Sequence, residues 1–228
     1  IQDGLSDAFT GESMGTTGET VALEHDISRK QSDSFAVRSH ALANEAWTNG
    51  WLASEVFTVG GLDKDEGIRP STNIEVLSGL KPVFRDHGQV TAGNSSQVSD
   101  GGSAVLIASE DFAGEHGLPV LARIVDYTTS GVEPHRVMSA PIPAVKRLLE
   151  MVKMDIDDID ILEHNEAFAS ASCAVRASFS FPEESFNPHG GAIAIGHPLG
   201  ATGTRCLMTL VNALIRTKCK RGVVTVCL

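Results

Sequence analysis

Three residues at or near the ends of apolar runs hold the reactive groups of this chain: Asn165, His197 and Cys227. An amide and an imidazole can polarise a carbonyl oxygen, and a thiol can exchange protons with carbon or sulfur. Together they form a kit for acyl transfer. Each has a plainer reading when taken alone. An Asn at a helix start is usually a cap, a Cys ending an apolar strand is usually core, and a His in a glycine-rich turn is often only solvated.

The elements that must hold these groups are written around them. His197 lies in the glycine-rich run Asn187–Arg205, whose glycines allow tight turns or close approach to the backbone. Pro198 forces the preceding His197 out of the helical region and is itself a good first helical residue. The helix is expected to reach about Lys218, with Leu199, Cys206, Leu207, Leu210, Val211 and Leu214 in phase for burial. Its positive end biases His197 towards the neutral form and stabilises a neighbouring anion such as a thiolate. Asn165 follows an expected strand at Ile159–Leu162, and Cys227 ends another at Gly222–Val226. In open α/β sheets reactive groups gather beyond the carboxyl ends of strands, so all three can converge on one edge.

The remaining chain supplies a two-part frame. In the first part, Thr16 with Glu19 and Ser28 with Gln31 fit capping boxes that start two helices. The second places Phe35, Ser39, Leu42 and Ala46 on one face and stops at Gly50. Residues 60–82 read as an irregular excursion, and residues 93–102 as a small-residue loop. From Ser103 onward strands and helices alternate. Strands are expected at Ala104–Ala108 and Pro119–Tyr127, and helices at Ile142–Lys153 and Glu166–Ser180. The pattern predicts an α/β fold with helices on both faces of a sheet, and a boundary between residues 97 and 98.

Composition narrows the function. At 228 residues, 42% hydrophobic and 21% charged, the chain can bury an ordinary core in one or two domains. A net charge of −11 argues against nucleic acid and anionic membrane as partners, so an anionic ligand must be met by a local site. The four cysteines, Cys173, Cys206, Cys219 and Cys227, lack metal-ligand spacing and read as thiols of a reducing compartment. The eight histidines are scattered, and no metal is expected. No apolar run reaches the ~18 residues of a membrane span. No Gly-x-Gly-x-x-Gly follows a strand, and no P-loop is present. The start at Ile1 does not look like a targeting peptide, and the stop after Cys227-Leu228 falls inside an apolar strand, so both ends look cut.

The run around Gly196-His197-Pro198 resembles the histidine motif of thiolases. Asn165-Glu166-Ala167-Phe168 resembles the family's Asn-Glu-Ala-Phe motif, and Val224-Thr225-Val226-Cys227 the start of its last motif, without the glycines that follow. Asp65–Pro70 and Thr91–Gly101 are also similar, most closely to the thiolases of fatty-acid β-oxidation. The resemblance implies a thiolase-like fold, with residues 1–97 as part of the loop domain and residues 98–228 as most of the carboxyl-terminal half. It implies an acyltransferase that cleaves 3-ketoacyl-CoA with CoA, or condenses acetyl-CoA in reverse. Its partners would be CoA thioesters, with CoA as substrate rather than cofactor, and it would act as a homodimer or homotetramer. By the same resemblance Asn165 holds a water that forms an oxyanion hole with His197. His197 also helps generate a thiolate, and Cys227 deprotonates CoA or the acetyl methyl group. Phe84, Ala92, Ser96, Ala167 and Phe168 match positions lining the CoA channel, and Arg69 one near the nucleotide end, whereas Val76 replaces a serine of biosynthetic relatives. The family's nucleophile is a cysteine in the amino-terminal half of a longer chain, and no cysteine here precedes Cys173. The alternative is a CoA-binding module without catalysis, which would not need all of Asn165, His197 and Cys227.

Overall fold

A computed structural model describes residues 4–227. Ile1, Gln2, Asp3 and Leu228, on which the expectation about the chain ends falls, lie outside the described residues. The organising element is a short parallel ladder. Strand β1, Ile161–His164, pairs with β2, Gly222–Thr225, in the register Ile161 to Gly222 through His164 to Thr225. Asn165 prolongs it by donating its N–H to the Thr225 carbonyl at 3.1 Å.

The helices, in chain order, are α1 (Met14–Glu24), α2 (Arg29–Thr48), α3 (Ile74–Ser78), α4 (Glu110–Glu115), α5 (Pro141–Val152), α6 (Ala169–Ser178), α7 (Ala192–Ile195) and α8 (Leu199–Thr217). Successive strand residues point to opposite faces, and both faces of β1 are covered. Ile161 packs on Leu210 and Ala213 of α8, and Glu163 pairs with Arg205 of the same helix. Leu162 joins the main core with Phe35 of α2, Val175 of α6 and Phe186. His164, on that second face, bonds Ser172 of α6 at 2.9 Å. Gly222 is small because a Cβ there would lie 2.5 Å from the Leu210 side chain, where α8 crosses β2.

Local signals set most helix limits. Ser28 and Gln31 form the expected capping box, with Ser28 N–H on Gln31 Oε1 at 2.8 Å, and Phe35, Ser39 and Ala46 are buried. The helix expected at Ile142–Lys153 is α5, opened by Pro141 and closed by Lys153 in the left-handed region. The first helix departs from expectation. It is capped by Ser13, not Thr16, and Glu19 reaches across to accept the N–H groups of Gln89 and Val90 at 2.9 and 2.8 Å. A long-range partner outcompetes the local box.

The segments expected as strands at Ala104–Ala108 and Pro119–Tyr127 pair with no strand among the described residues. Their apolar side chains stand in solvent, with Leu106 85% and Leu121 68% exposed. Apolar β-prone sequence makes a strand only when a partner completes the ladder, and a single sequence does not name the partner.

Beside β1 runs the turn that precedes α7. Asn187 Oδ1 accepts the His164 N–H at 2.7 Å, its Nδ2 donates to the His164 carbonyl at 2.8 Å, and its own N–H reaches the Leu162 carbonyl at 3.1 Å. Its φ of 45° is one that Asn tolerates better than most residues. The side chain thus acts as a strand edge. Asn187→Ala would orphan two buried backbone groups and is expected to destabilise the protein by about 3–5 kcal/mol, measured as the change in unfolding free energy in urea. A loss below about 1 kcal/mol would show that the turn does not depend on this amide.

Candidate active site

Asn165 and His197 meet. Asn165 leaves the carboxyl end of β1 with its side chain on the α8 face and donates Nδ2–H to His197 Nε2 at 3.1 Å. It is not the cap of the following helix, since α6 begins at Ala169 with Phe168 before it. His197 sits just outside α8, and Pro198 occupies the cap position. Its backbone N–H is held by the Gln97 carbonyl at 3.1 Å. Gly196 before it takes φ 95°, and a Cβ there would strike the Ser99 hydroxyl at 2.1 Å, so only glycine delivers the chain to His197 by this route.

The other ring nitrogen is also engaged. Thr202 Oγ1 lies 2.6 Å from His197 Nδ1 and 2.9 Å from the Pro198 carbonyl. A hydroxyl has one proton, which Thr202 gives to the carbonyl, so it accepts from Nδ1–H. That assignment leaves the Nε2 lone pair facing Asn165. Burial, and then the charge of Arg205, hold His197 below the usual imidazole range, so the ring is neutral and can take a proton at Nε2. Asn165 Oδ1 is buried without a hydrogen-bond partner among the described residues.

Beneath this pair the buried polar groups are interlocked. Glu163, His164, Asn165 and Glu166 are all fully buried. Glu166 accepts from Ser39 Oγ at 2.6 Å, Asn187 Nδ2 at 2.9 Å and Ile193 N–H at 3.2 Å. Burial raises its pKa despite these bonds. It also raises the Glu163 carboxyl to about 8, against the pull of the Arg205 guanidinium at 2.9 Å. A side chain on Gly191 would meet the Glu166 carboxylate at 2.5 Å, so the glycine-rich run packs directly on this network.

Cys227 stands two residues beyond the ladder on β2, buried, with its thiol against the Met138 sulfur at 3.5 Å. Burial pushes that thiol up to about 11. It adjoins the strand bearing Asn165 but makes no hydrogen bond to Asn165 or His197, and it packs as part of the core.

The six positions matched to a CoA channel fall in three pairs. Arg69 and Ala92 line a cleft of about 400 Å³, together with His40, Val76, Gln97 and Ile193. Phe84 meets Phe168 edge to face, with ring centroids 6.2 Å apart. Ser96 donates its N–H to the Ala167 carbonyl at 2.9 Å, and Ala167 is two residues from Asn165. Because Gln97 both lines the cleft and holds the His197 N–H, the cleft and the Asn165–His197 pair share one wall. Among the described residues no group of His, Cys, Asp or Glu is arranged to hold a metal, and no helix is long and apolar enough to cross a membrane.

Sequence reading missed Thr202, Glu166, Asn187 and Ser39 as parts of this site. Each carried a signal: Thr202 a hydroxyl in the first turn of the helix that His197 precedes, Glu166 its place in the Asn165–Phe168 motif, Asn187 the start of the glycine-rich run, and Ser39 its place on the packed face of its helix.

Comparison with known proteins identifies the family and the fold of the chain. The thiolase N-terminal domain model matches residues 1–111 and the thiolase C-terminal domain model residues 118–228. The chain is 42% identical over 236 aligned positions to an acetyl-CoA acetyltransferase of Paracoccus denitrificans, covering 100% of this chain and 60% of the relative. Its fold superposes with a TM-score of 0.96 on human mitochondrial 3-ketoacyl-CoA thiolase in complex with CoA, at 39% identity, covering 100% of this chain and 58% of that one. For the Bacillus anthracis acetyl-CoA acetyltransferase the TM-score is 0.94 at 36% identity, covering 100% and 60%. The chain therefore spans about 60% of the length of the curated relatives it matches. With both domain models matched in order and a superposable α/β fold, this chain belongs to the thiolase family.

Proposed function

We propose that this chain forms the thioester-polarising part of a thiolase-type acyltransferase site, which cleaves 3-ketoacyl-CoA with CoA or condenses acetyl-CoA in reverse. The observation that carries the reading is the Asn165–His197 contact at the mouth of α8, backed by Thr202. A neutral imidazole whose Nε2 lone pair is held only by the Asn165 amide can exchange that contact for the proton of an attacking thiol. Once protonated, Nε2–H and the Asn165 amide N–H are both donors. Their contact then becomes repulsive, and Nε2–H is free to donate to a thioester oxygen. The unpartnered Asn165 Oδ1 suits a bound water as the second donor.

In the cleavage direction a cysteine thiolate attacks the 3-keto carbon and the bond between carbons 2 and 3 breaks. Its electron pair passes to the thioester as an enolate, whose oxygen faces His197 and the Asn165 water. Cys227, protonated at neutral pH because burial raises its pKa, delivers a proton to carbon 2 and releases acetyl-CoA. The Cys227 thiolate left by that transfer takes the proton of an incoming CoA thiol, and the CoA sulfur attacks the acyl-enzyme and displaces the nucleophilic cysteine. The thioester's CoA portion lies along Phe84, Ala92, Ser96, Ala167 and Phe168, with its nucleotide end near Arg69. The Arg69–Ala92 cleft and the wall shared through Gln97 support that path. Fatty-acid β-oxidation is the setting favoured by the resemblance, and a homodimer or homotetramer the acting form.

The attacking thiol comes from outside these residues. Cys173 and Cys206 are buried with pKa values raised to about 12, and Cys219 follows the carboxyl end of α8, remote from its mouth. The 228-residue chain is therefore expected to show no thiolysis of acetoacetyl-CoA and no stoichiometric labelling by radioactive acetyl-CoA. Acetylation of any of its four cysteines would place the nucleophile here after all.

In active protein containing this chain, His197→Ala is expected to lower turnover by about a hundredfold or more, and near-normal thiolysis by that variant would sink the reading. Cys227→Ser is expected to spare enzyme acylation more than the proton-transfer half-reaction, so rapid mixing with acyl-CoA should trap acyl-enzyme. Equal loss of both halves would make Cys227 a purely structural residue.

A further inference from the structure

Two rungs join β1 to α8 in succession. Residues two apart on a strand share a face about 7 Å apart, and here they are Glu163 and Asn165. Asn165 meets His197 at 3.1 Å, and Glu163 meets Arg205 Nη1 at 2.9 Å. Glu163 is fully buried and the Arg205 side chain is 14% exposed. Glu163 Oε2 and Arg205 Nη2 have no hydrogen-bond partner among the described residues, so one contact carries the whole pairing. A shift of α8 along β1 cannot open one rung without disturbing the other.

We propose that Arg205, held by Glu163 on the rung beside Asn165 and His197, is a positioning residue for His197, and that its buried positive charge adds to burial in favouring the neutral imidazole. The inference rests on the thiolase reading for its purpose, not for its geometry. The rung Glu163–Arg205 lies next to the rung Asn165–His197 on one face of the strand, which sets the guanidinium near the imidazole; burial first, and then this charge, lower the imidazole pKa. Around Arg205 lie Glu163 and Glu166 at the end of β1, Glu55 and Asp65 from the segment after α2, and the thiol of Cys206 on α8, with Cys227 beyond it. Burial raises the pKa of all four of these carboxyl groups. The Glu163 carboxyl oxygen accepts from Arg205 whether or not the group is ionised. Its part is to aim the guanidinium, and the part of Arg205 is to supply the charge.

The test is the titration of His197 itself, followed by nitrogen-15 NMR of the imidazole in the 228-residue protein, which needs no catalysis. Arg205→Gln is expected to raise the His197 midpoint by about half a pH unit or more, and Arg205→Lys to bring it back close to the parent value. Glu163→Gln, which keeps an acceptor oxygen, is expected to leave the midpoint near the parent, whereas Glu163→Ala moves it. An unmoved or lowered midpoint in folded Arg205→Gln would overturn the proposal. So would a Lys variant that shifts as far as Gln, or a Glu163→Gln shift equal to that of Glu163→Ala. If Arg205→Gln does not fold, Arg205→Met, which keeps the packing of the stem, takes its place. Failure of both to fold would also overturn the proposal, because the pair would then serve the core and not His197. None of these outcomes depends on whether His197→Ala abolishes thiolysis, so this inference and the thiolase reading fail separately.

Discussion

A parallel pair of strands cannot be closed by a tight turn and needs a long crossover that returns the chain to the same edge. Between β1 and β2 that crossover contains α6, α7 and α8, and its covering of both faces gives β1 an unusual task. Each residue of the strand must satisfy a buried environment, first on one side and then on the other. The ladder register, Ile161 opposite Gly222 through His164 opposite Thr225, decides which side chain meets which helix. A one-residue slip would carry Asn165 away from α8 and turn Leu162 onto Arg205. Everything described at the site depends on that register.

Four consecutive fully buried polar residues, Glu163 to Glu166, are costly in a small core. The structure meets the cost with specific partners: Arg205 for Glu163, Ser172 and Asn187 for His164, His197 for Asn165, and Ser39 with Asn187 for Glu166. A fully apolar strand would be easier to bury, but it would accept several registers. Buried polar groups that find partners only in one register disfavour the others. The same groups that hold the amide and imidazole together therefore also make the fold unique around them.

The parts legible in the sequence were those with local causes. The helix after Pro198, the box at Ser28 and Gln31, and β2 were readable because their determinants lie within a few residues. The meeting of Asn165 with His197 was anticipated from strand-end logic and from the family resemblance. What the sequence hid was long-range. Glu19 looked like a helix-start residue and instead holds a loop some 70 positions away. The β1 strand lay about two residues later than expected, because Glu163 and His164 do not look like buried strand until Arg205 and Asn187 are known to cover them. The runs at Ala104–Ala108 and Pro119–Tyr127 have strand composition, yet pairing depends on a partner that composition cannot supply.

Those two runs have a further consequence, in terms of proteolytic susceptibility. Proteases bind substrates as extended segments, and cleavage concentrates where backbone is accessible and not committed to hydrogen-bonded structure. Residues 119–132 meet that description, and Arg123 is the one basic residue among them. Trypsin should therefore nick the protein after Arg123 well before it reaches Arg205, whose side chain is locked against Glu163 in the covered face of β1. The cut would separate α5, β1, α6, α8 and β2 from the first part of the chain in covalent terms only. Contacts such as Ser170 Oγ to the Gly18 carbonyl and Ser39 Oγ to Glu166 would still bind the two pieces together.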